Sequence, residues 1–159
     1  MEAWHTAPVI GRSLIMSRLL KFFLLTLALL ASTGVRTQSN AISPADARAI
    51  RAVIEAQLEA FSADDAQAAF SFASQGIRKT FGTANNFLAM VKASYPVVYR
   101  PASVLFLDPE QVADEIMQGV EMSDDTDRLW LALYRMQRQP DNTWRIDGCL
   151  LKSLPGSRS

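Results

Sequence analysis

The sequence predicts an α+β fold: three N-terminal helices packed on a curved antiparallel sheet of about four strands, placed after a signal segment. Three observations carry this. Capping residues and apolar residues at helical spacing fill residues 43–95. After Pro96, runs rich in Val, Ile, Leu, Tyr and Trp alternate with turn clusters. The apolar run of ten residues at Phe22–Ala31 sets the N-terminal stretch apart from both.

That run follows Arg12, Arg18 and Lys21. It is well short of the roughly 20 residues that cross a bilayer, so it reads as the apolar core of a signal peptide. Ser32 and Gly34 fit the small-residue rule of a cleavage site, as do Ser39 and Ala41 further on, and Met16 would leave an ordinary short basic start. The expected organisation is a signal peptide and linker at 1–41, a single α+β domain at 42–153 and a flexible tail at 154–159. The expected compartment is the periplasm or the exterior, with an N-terminal membrane anchor as the alternative. The membrane is expected to matter only through this segment.

Within the domain, Ser43-Pro44-Ala45-Asp46 reads as an N-cap, proline in the first helical turn and an acid beside the exposed amides. Ile50, Val53, Ile54, Leu58 and Phe61 follow at helical spacing, with Arg48, Arg51, Glu55 and Glu59 on the other side. Ser62-Ala63-Asp64-Asp65 opens a second helix through Ala66, Ala69, Phe70 and Ala73, which Gly76 is expected to stop. Thr83 caps a third helix carrying Phe87, Met90 and Val91, and the restriction on the residue before Pro96 ends it. The link Ile77–Phe81 is expected to be a short strand.

Strands are expected in Val97–Leu107, Val112–Met122, Asp127–Gln139 and Thr143–Leu151. A three-residue Pro140-Asp141-Asn142 loop with a left-handed Asn142 pairs Met136 with Ile146, Tyr134 with Gly148 and Arg135 with Asp147. A Ser123–Thr126 loop sets Asp114 opposite Arg135 and Glu121 opposite Arg128. One face then carries Glu115, Met117, Trp130, Ala132, Tyr134, Met136, Ile146 and Leu150, toward the helices. The other carries Ile116, Val120, Leu129, Leu131, Leu133, Cys149 and Leu151, with Asp114, Arg135 and Asp147 at one end. That second face is too apolar to be solvated, which predicts a homodimer through the outer sheet face.

Charge and composition exclude more than they assign. The 16 basic and 16 acidic residues balance, and removal of residues 1–41 leaves 12 basic and 15 acidic groups, a net of −3. Such a surface has no footprint for nucleic acid. The one histidine is His5, so the domain itself has none, which removes Ser/His/Asp and Cys/His catalysis and histidine-ligated metals. No metal and no cofactor is expected. Cys149, alone among leucines, reads as a small packing residue. Asp64-Asp65 and Asp124-Asp125-Thr126-Asp127 read as cap and turn chemistry, because the second lacks the glycine and distal glutamate of a calcium loop.

The stretches Phe72-Ala73-Ser74-Gln75-Gly76-Ile77-Arg78, Val98-Tyr99-Arg100-Pro101 and Tyr134–Cys149 resemble a bacterial family catalogued as domain of unknown function 4864, over about residues 43–151. The order of helices then strands also resembles the cone-shaped nuclear-transport-factor-2-like superfamily, which includes ketosteroid isomerases and polyketide-cyclase-like enzymes. The closer family brings no known site residues, and a shared architecture does not confer a function.

Site candidates therefore come from the expected inner face. Tyr99, Trp130, Tyr134 and Met136 are candidates to line a site for a small apolar ligand, in a non-enzymatic ligand- or partner-binding module. The alternative is a carboxylate-dependent proton-transfer enzyme, isomerase- or cyclase-like. In that reading Glu115, opposite Tyr134, is a base tuned by burial.

Overall fold

A computed structural model describes residues 42–155. The expected signal segment and residues 156–159 of the tail lie outside the described residues. Helix α1 spans Pro44–Ser62, α2 Ala66–Ser71, α3 Gln75–Phe81, α4 Ala84–Ser94 and α5 Pro96–Tyr99. Strands β1 (Ser103–Phe106), β2 (Glu110–Val112), β3 (Glu115–Ser123), β4 (Leu129–Arg138) and β5 (Trp144–Ser153) follow. The fold is α+β, with one antiparallel sheet in the order β1-β3-β4-β5 and β2 also paired to β3.

The caps read at Ser43 and Thr83 form, whereas Ser62, expected to open the second helix, ends α1, and Asp65 three residues on is the cap instead. The hydroxyl of Ser43 accepts from the Asp46 amide at 3.1 Å, Asp65 caps α2 through the Ala68 amide at 2.9 Å, and Thr83 caps α4 through the Asn86 amide at 3.2 Å. Asp46 does more than favour the first turn. It also accepts from Trp144 Nε1 at 3.2 Å and pairs with Arg138 at 3.5 Å, pinning the start of α1 to the β4–β5 hairpin. Its bonds with Ser43 and Trp144 lower its carboxyl below the usual range.

Two helices were not expected. Ile77–Phe81 belongs to α3 rather than to a strand, because Ser74 supplies an N-cap (Oγ accepting from the Ile77 amide at 3.2 Å) and Gly76 falls inside the helix. Residues 96–99 form α5, since Pro96 is favourable in a first turn, so the first strand starts only at Ser103. The expected strand Val112–Met122 is two strands joined at Ala113-Asp114, with Ala113 in the left-handed region (φ 54°).

Register decides the faces. The β4–β5 loop is as read: Asn142 is left-handed (φ 64°), and Met136 faces Ile146. Beyond it, a bulge between Arg135 and Met136 shifts the ladder by one, so Tyr134 faces Cys149 instead of Gly148, and Leu151 turns inward while Leu150 turns out. The β3–β4 expectation fails by three residues. All of Asp124–Arg128 is loop, since the Asp124 carboxylate accepts from the Thr126 and Arg128 amides, Thr126 Oγ1 and Trp130 Nε1 at 2.6–3.1 Å. These bonds hold its acid well below the usual range. Ser123 then faces Leu129, Met117 faces Arg135, and Gln118 faces Tyr134. An odd shift inverts every β3 side chain.

The inner face therefore carries Gln118, Val120 and Met122 with Ala132, Tyr134, Met136 and Ile146, all buried, and α1, α3 and α5 pack on the sheet. Glu115 and Met117 lie on the outer face. The ion network expected of Asp114, Arg135 and Asp147 forms with Glu115 in place of Asp114: Arg135 reaches Glu115 at 3.3 Å and Asp147 at 3.1 Å.

At the bulge, the fully buried Ser74 hydroxyl donates to Asp147 Oδ1 at 2.6 Å while capping α3. The Ser74 amide also donates to the Ile146 carbonyl at 2.8 Å, so the α2–α3 link covers the β5 edge there. Ser74→Ala is expected to destabilise the protein by about 2 kcal/mol, from a lost cap and a lost bond to a carboxylate. Urea unfolding measures it, and a loss below about 0.5 kcal/mol would show that the link does not depend on this side chain.

Candidate functional site

A half-open pocket of about 280 Å³, called the cavity below, lies between the helices and the inner face of β4 and β5. Its location follows from the fold. The apolar stripe of α1 ends at Phe61, α4 contributes Phe87, Met90 and Val91, and the rings of Phe61, Phe81 and Phe87 gather at 5.5–6.0 Å between centroids. Tyr134, Ile146 and Cys149 form the sheet side. Half-buried Ile77, Phe81, Met90 and Tyr95 mark the rim.

Polar groups on this wall are few, and most are committed. Gln57, a polar residue within the buried stripe of α1, donates Nε2 to the Ala69 carbonyl at 3.0 Å and so ties α1 to α2. Tyr95 donates its hydroxyl to the Cys149 carbonyl at 3.3 Å. Asp147, at the bulge, is held by Ser74 and Arg135. Tyr134 is the exception: its hydroxyl is fully buried and has no hydrogen-bond partner. Burial, and secondarily the neighbouring Cys149, pushes its phenol well above the ordinary value, so it is a neutral donor at any physiological pH.

Cys149 is held as a thiol. Burial pushes it up to about 12, against 9.0 for an ordinary cysteine. The nucleophile is the thiolate, so alkylation at pH 8 is expected to run on the order of a thousandfold slower in the native protein than after denaturation. Cys149 is the only cysteine, so mass spectrometry after iodoacetamide reads it directly. Native labelling at the denatured rate would show an accessible, activated thiol instead.

The site candidates separate. Tyr134 is on the cavity wall; Tyr99, Trp130 and Met136 are not. Tyr99 bonds to Asp64, with Lys92 and Arg100 over its ring at 4.9 Å each. Trp130 lines a separate and larger pocket of about 680 Å³, with Arg100 and Asp124. Met136 is packed in the core. Glu115 is exposed on the outer face and bound to Arg135, so the expected pair of Glu115 with Tyr134 is not assembled. The inverted β3 register is the reason.

Sequence reasoning missed Gln57, Phe61, Phe81, Phe87 and Tyr95 as wall residues. Gln57 was the visible signal: a glutamine between Ile54 and Leu58 on a stripe that is otherwise apolar. Among the described residues, no group of three or more His, Cys, Asp or Glu is placed to hold a metal ion, and no helix is long and apolar enough to cross a membrane.

No curated protein and no solved structure matches the chain. The sequence profile of a family described as a domain of unknown function, DUF4864, matches residues 43–158, which takes in every helix and strand described above and the whole cavity wall. The chain therefore belongs to the DUF4864 family.

Proposed function

We propose that the protein is an exported, non-enzymatic module that holds a small apolar ligand in the cavity between its helices and sheet. The observation that carries this is the pocket itself: about 280 Å³, walled largely by aromatic and aliphatic side chains, with Gln57 and Tyr95 among its few polar residues. Binding sites for small molecules are built this way, from an apolar concavity and a few convergent polar groups. Native mass spectrometry of the protein purified from its own host tests it. An added mass released on denaturation supports the reading, and bare protein from every growth condition, with no apolar probe taken up afterwards, overturns it.

The layering of helices over an antiparallel sheet around a cavity supports placing the fold with the nuclear-transport-factor-2-like cones. Export rests on the basic residues followed by the apolar run Phe22–Ala31. N-terminal sequencing of the mature protein checks it, with processing expected after Gly34 or Ala41; an intact 22–31 segment in the membrane fraction would point to the anchor.

The occupant of the outer sheet face is proposed to be a second copy of this chain. Leu105, Leu107, Leu129 and Leu150 are exposed there, beside half-buried Leu131 and Leu133. Gly119 lets Leu107 lie flat over β3; a Cβ there would sit 3.0 Å from Leu107 Cδ1. Strands β3, β4 and β5, each about 30 Å long, with the short β1 beside them at about 4.8 Å spacing, give a face on the order of 500 Å² before side-chain relief. A standard interface covers roughly 800 Å² per partner.

A further inference from the structure

Resting on the dimer reading, we propose that two copies of the chain pair about a two-fold axis running along β4, so that Glu121 of each copy meets the partner's Lys152. Three observations converge on this arrangement. The first is the placement of charge. Glu121, Leu131 and Lys152 form one cross-strand row over β3, β4 and β5 on the outer face. The acid and the base therefore stand one strand, about 4.8 Å, to either side of Leu131. The whole face has this polarity: Glu110 and Glu115 lie on its β2–β3 side, Arg145 and Lys152 on β5. Among the described residues, Glu121 and Lys152 take part in no ion pair.

The second is symmetry. When two identical sheets pack face to face, the two-fold axis lies in the plane between them, either across the strands or along them. An axis across the strands lays acidic side over acidic side and basic over basic, which opposes association. An axis along β4 exchanges β3 with β5, so each row meets its own copy reversed: Glu121 over the partner's Lys152, and Leu131 over the partner's Leu131. Packed sheets cross at about 30°, which one strand from the axis moves the partner's Lys152 by only about 2.5 Å, within the freedom of its four-carbon stem. The third is relief. The next row is Gly119, Leu133 and Leu150, so its reversal sets the partner's Leu150 over Gly119, where only the flat-lying Leu107 covers β3. Large meets small, as interdigitating sheets require. Arg135, further along β4, brings no uncompensated charge to the axis, because Glu115 at 3.3 Å and Asp147 at 3.1 Å already hold it.

Charge reversal tests the arrangement, with the dissociation constant of the purified protein read by sedimentation over a concentration series. Glu121→Lys and Lys152→Glu are each expected to weaken the dimer by about tenfold or more, because each turns two attractive pairs into two repulsive ones. The double variant Glu121→Lys/Lys152→Glu rebuilds both pairs with the signs exchanged, and is expected to return to within about threefold of the wild type. An axis across the strands predicts no such rescue, since there neither residue faces the other. Both side chains lie on the outer face away from the core, so unchanged circular dichroism is expected throughout. A dimer indifferent to either single change, or a double variant no tighter than the singles, overturns the axis while leaving the dimer reading standing. A wild-type monomer at tens of micromolar overturns the dimer reading itself and this arrangement with it.

Discussion

Phe61→Ala is expected to lower the unfolding free energy by about 3–5 kcal/mol. That is a large share of the roughly 5–15 kcal/mol that a domain of this size possesses. Phe61 closes the apolar stripe of α1, is 1% exposed, and faces the Phe87 ring at 6.0 Å. Truncation removes the transfer free energy of the ring, and the space it leaves opens onto a cavity already about 280 Å³ in volume. Because that pocket is half open, the vacated space can be reached by solvent, and the lost burial of the ring rather than a sealed void makes up most of the cost. Urea unfolding followed by far-ultraviolet circular dichroism measures it. Phe81→Ala, at the half-buried rim, should cost less. A Phe61→Ala loss under about 1 kcal/mol would mean that the cavity wall is far softer than its packing implies.

The aromatic cluster was visible in the sequence as residues but not as a site, and the reason lies in which kinds of signal are local. Caps at Ser43 and Thr83, the left-handed Asn142 and the Met136–Ile146 pair are each set by a handful of neighbouring residues, and all of them form. The faces of β3 depend on how many residues the Asp124–Arg128 loop absorbs. That number is decided by one carboxylate taking four hydrogen bonds rather than by a two-residue turn signature. Because side chains alternate with period two, the error displaced Glu115 from the inner face to the outer one and hid Gln118, whose Nε2 donates to the Leu107 carbonyl at 2.6 Å. The bulge at Asp147 did the same to Cys149, Leu150 and Leu151. Tyr134 survived because β4 was the reference strand, and its phase did not depend on either loop.

The outer face stays apolar for a physical reason: β4 fixes Leu129, Leu131 and Leu133 there, while Leu105 of β1, Leu107 just past its end and Leu150 of β5 take the places expected of Val120 and Leu151. Leu133 sits at the middle of this surface, between Gly119 and Leu150 across the ladder, with no ionised side chain as a direct cross-strand neighbour. Leu133→Glu is therefore expected to yield a folded monomer. In a two-fold sheet-to-sheet dimer the substitution would bring two carboxylates together near the axis, a juxtaposition worth several kcal/mol and on the order of a hundredfold or more in the dissociation constant. The fold should tolerate it, since the side chain is half-buried in the single chain and points away from the core. Leu131 is a less clean probe, because it lies between Glu121 and Lys152, and both charges would act on an introduced glutamate. Sedimentation velocity at tens of micromolar separates the cases. A wild-type dimer that Leu133→Glu converts to a monomer with unchanged circular dichroism supports the pairing. A wild-type monomer at that concentration, or a dimer indifferent to Leu133→Glu, overturns it and leaves the leucines to a different partner.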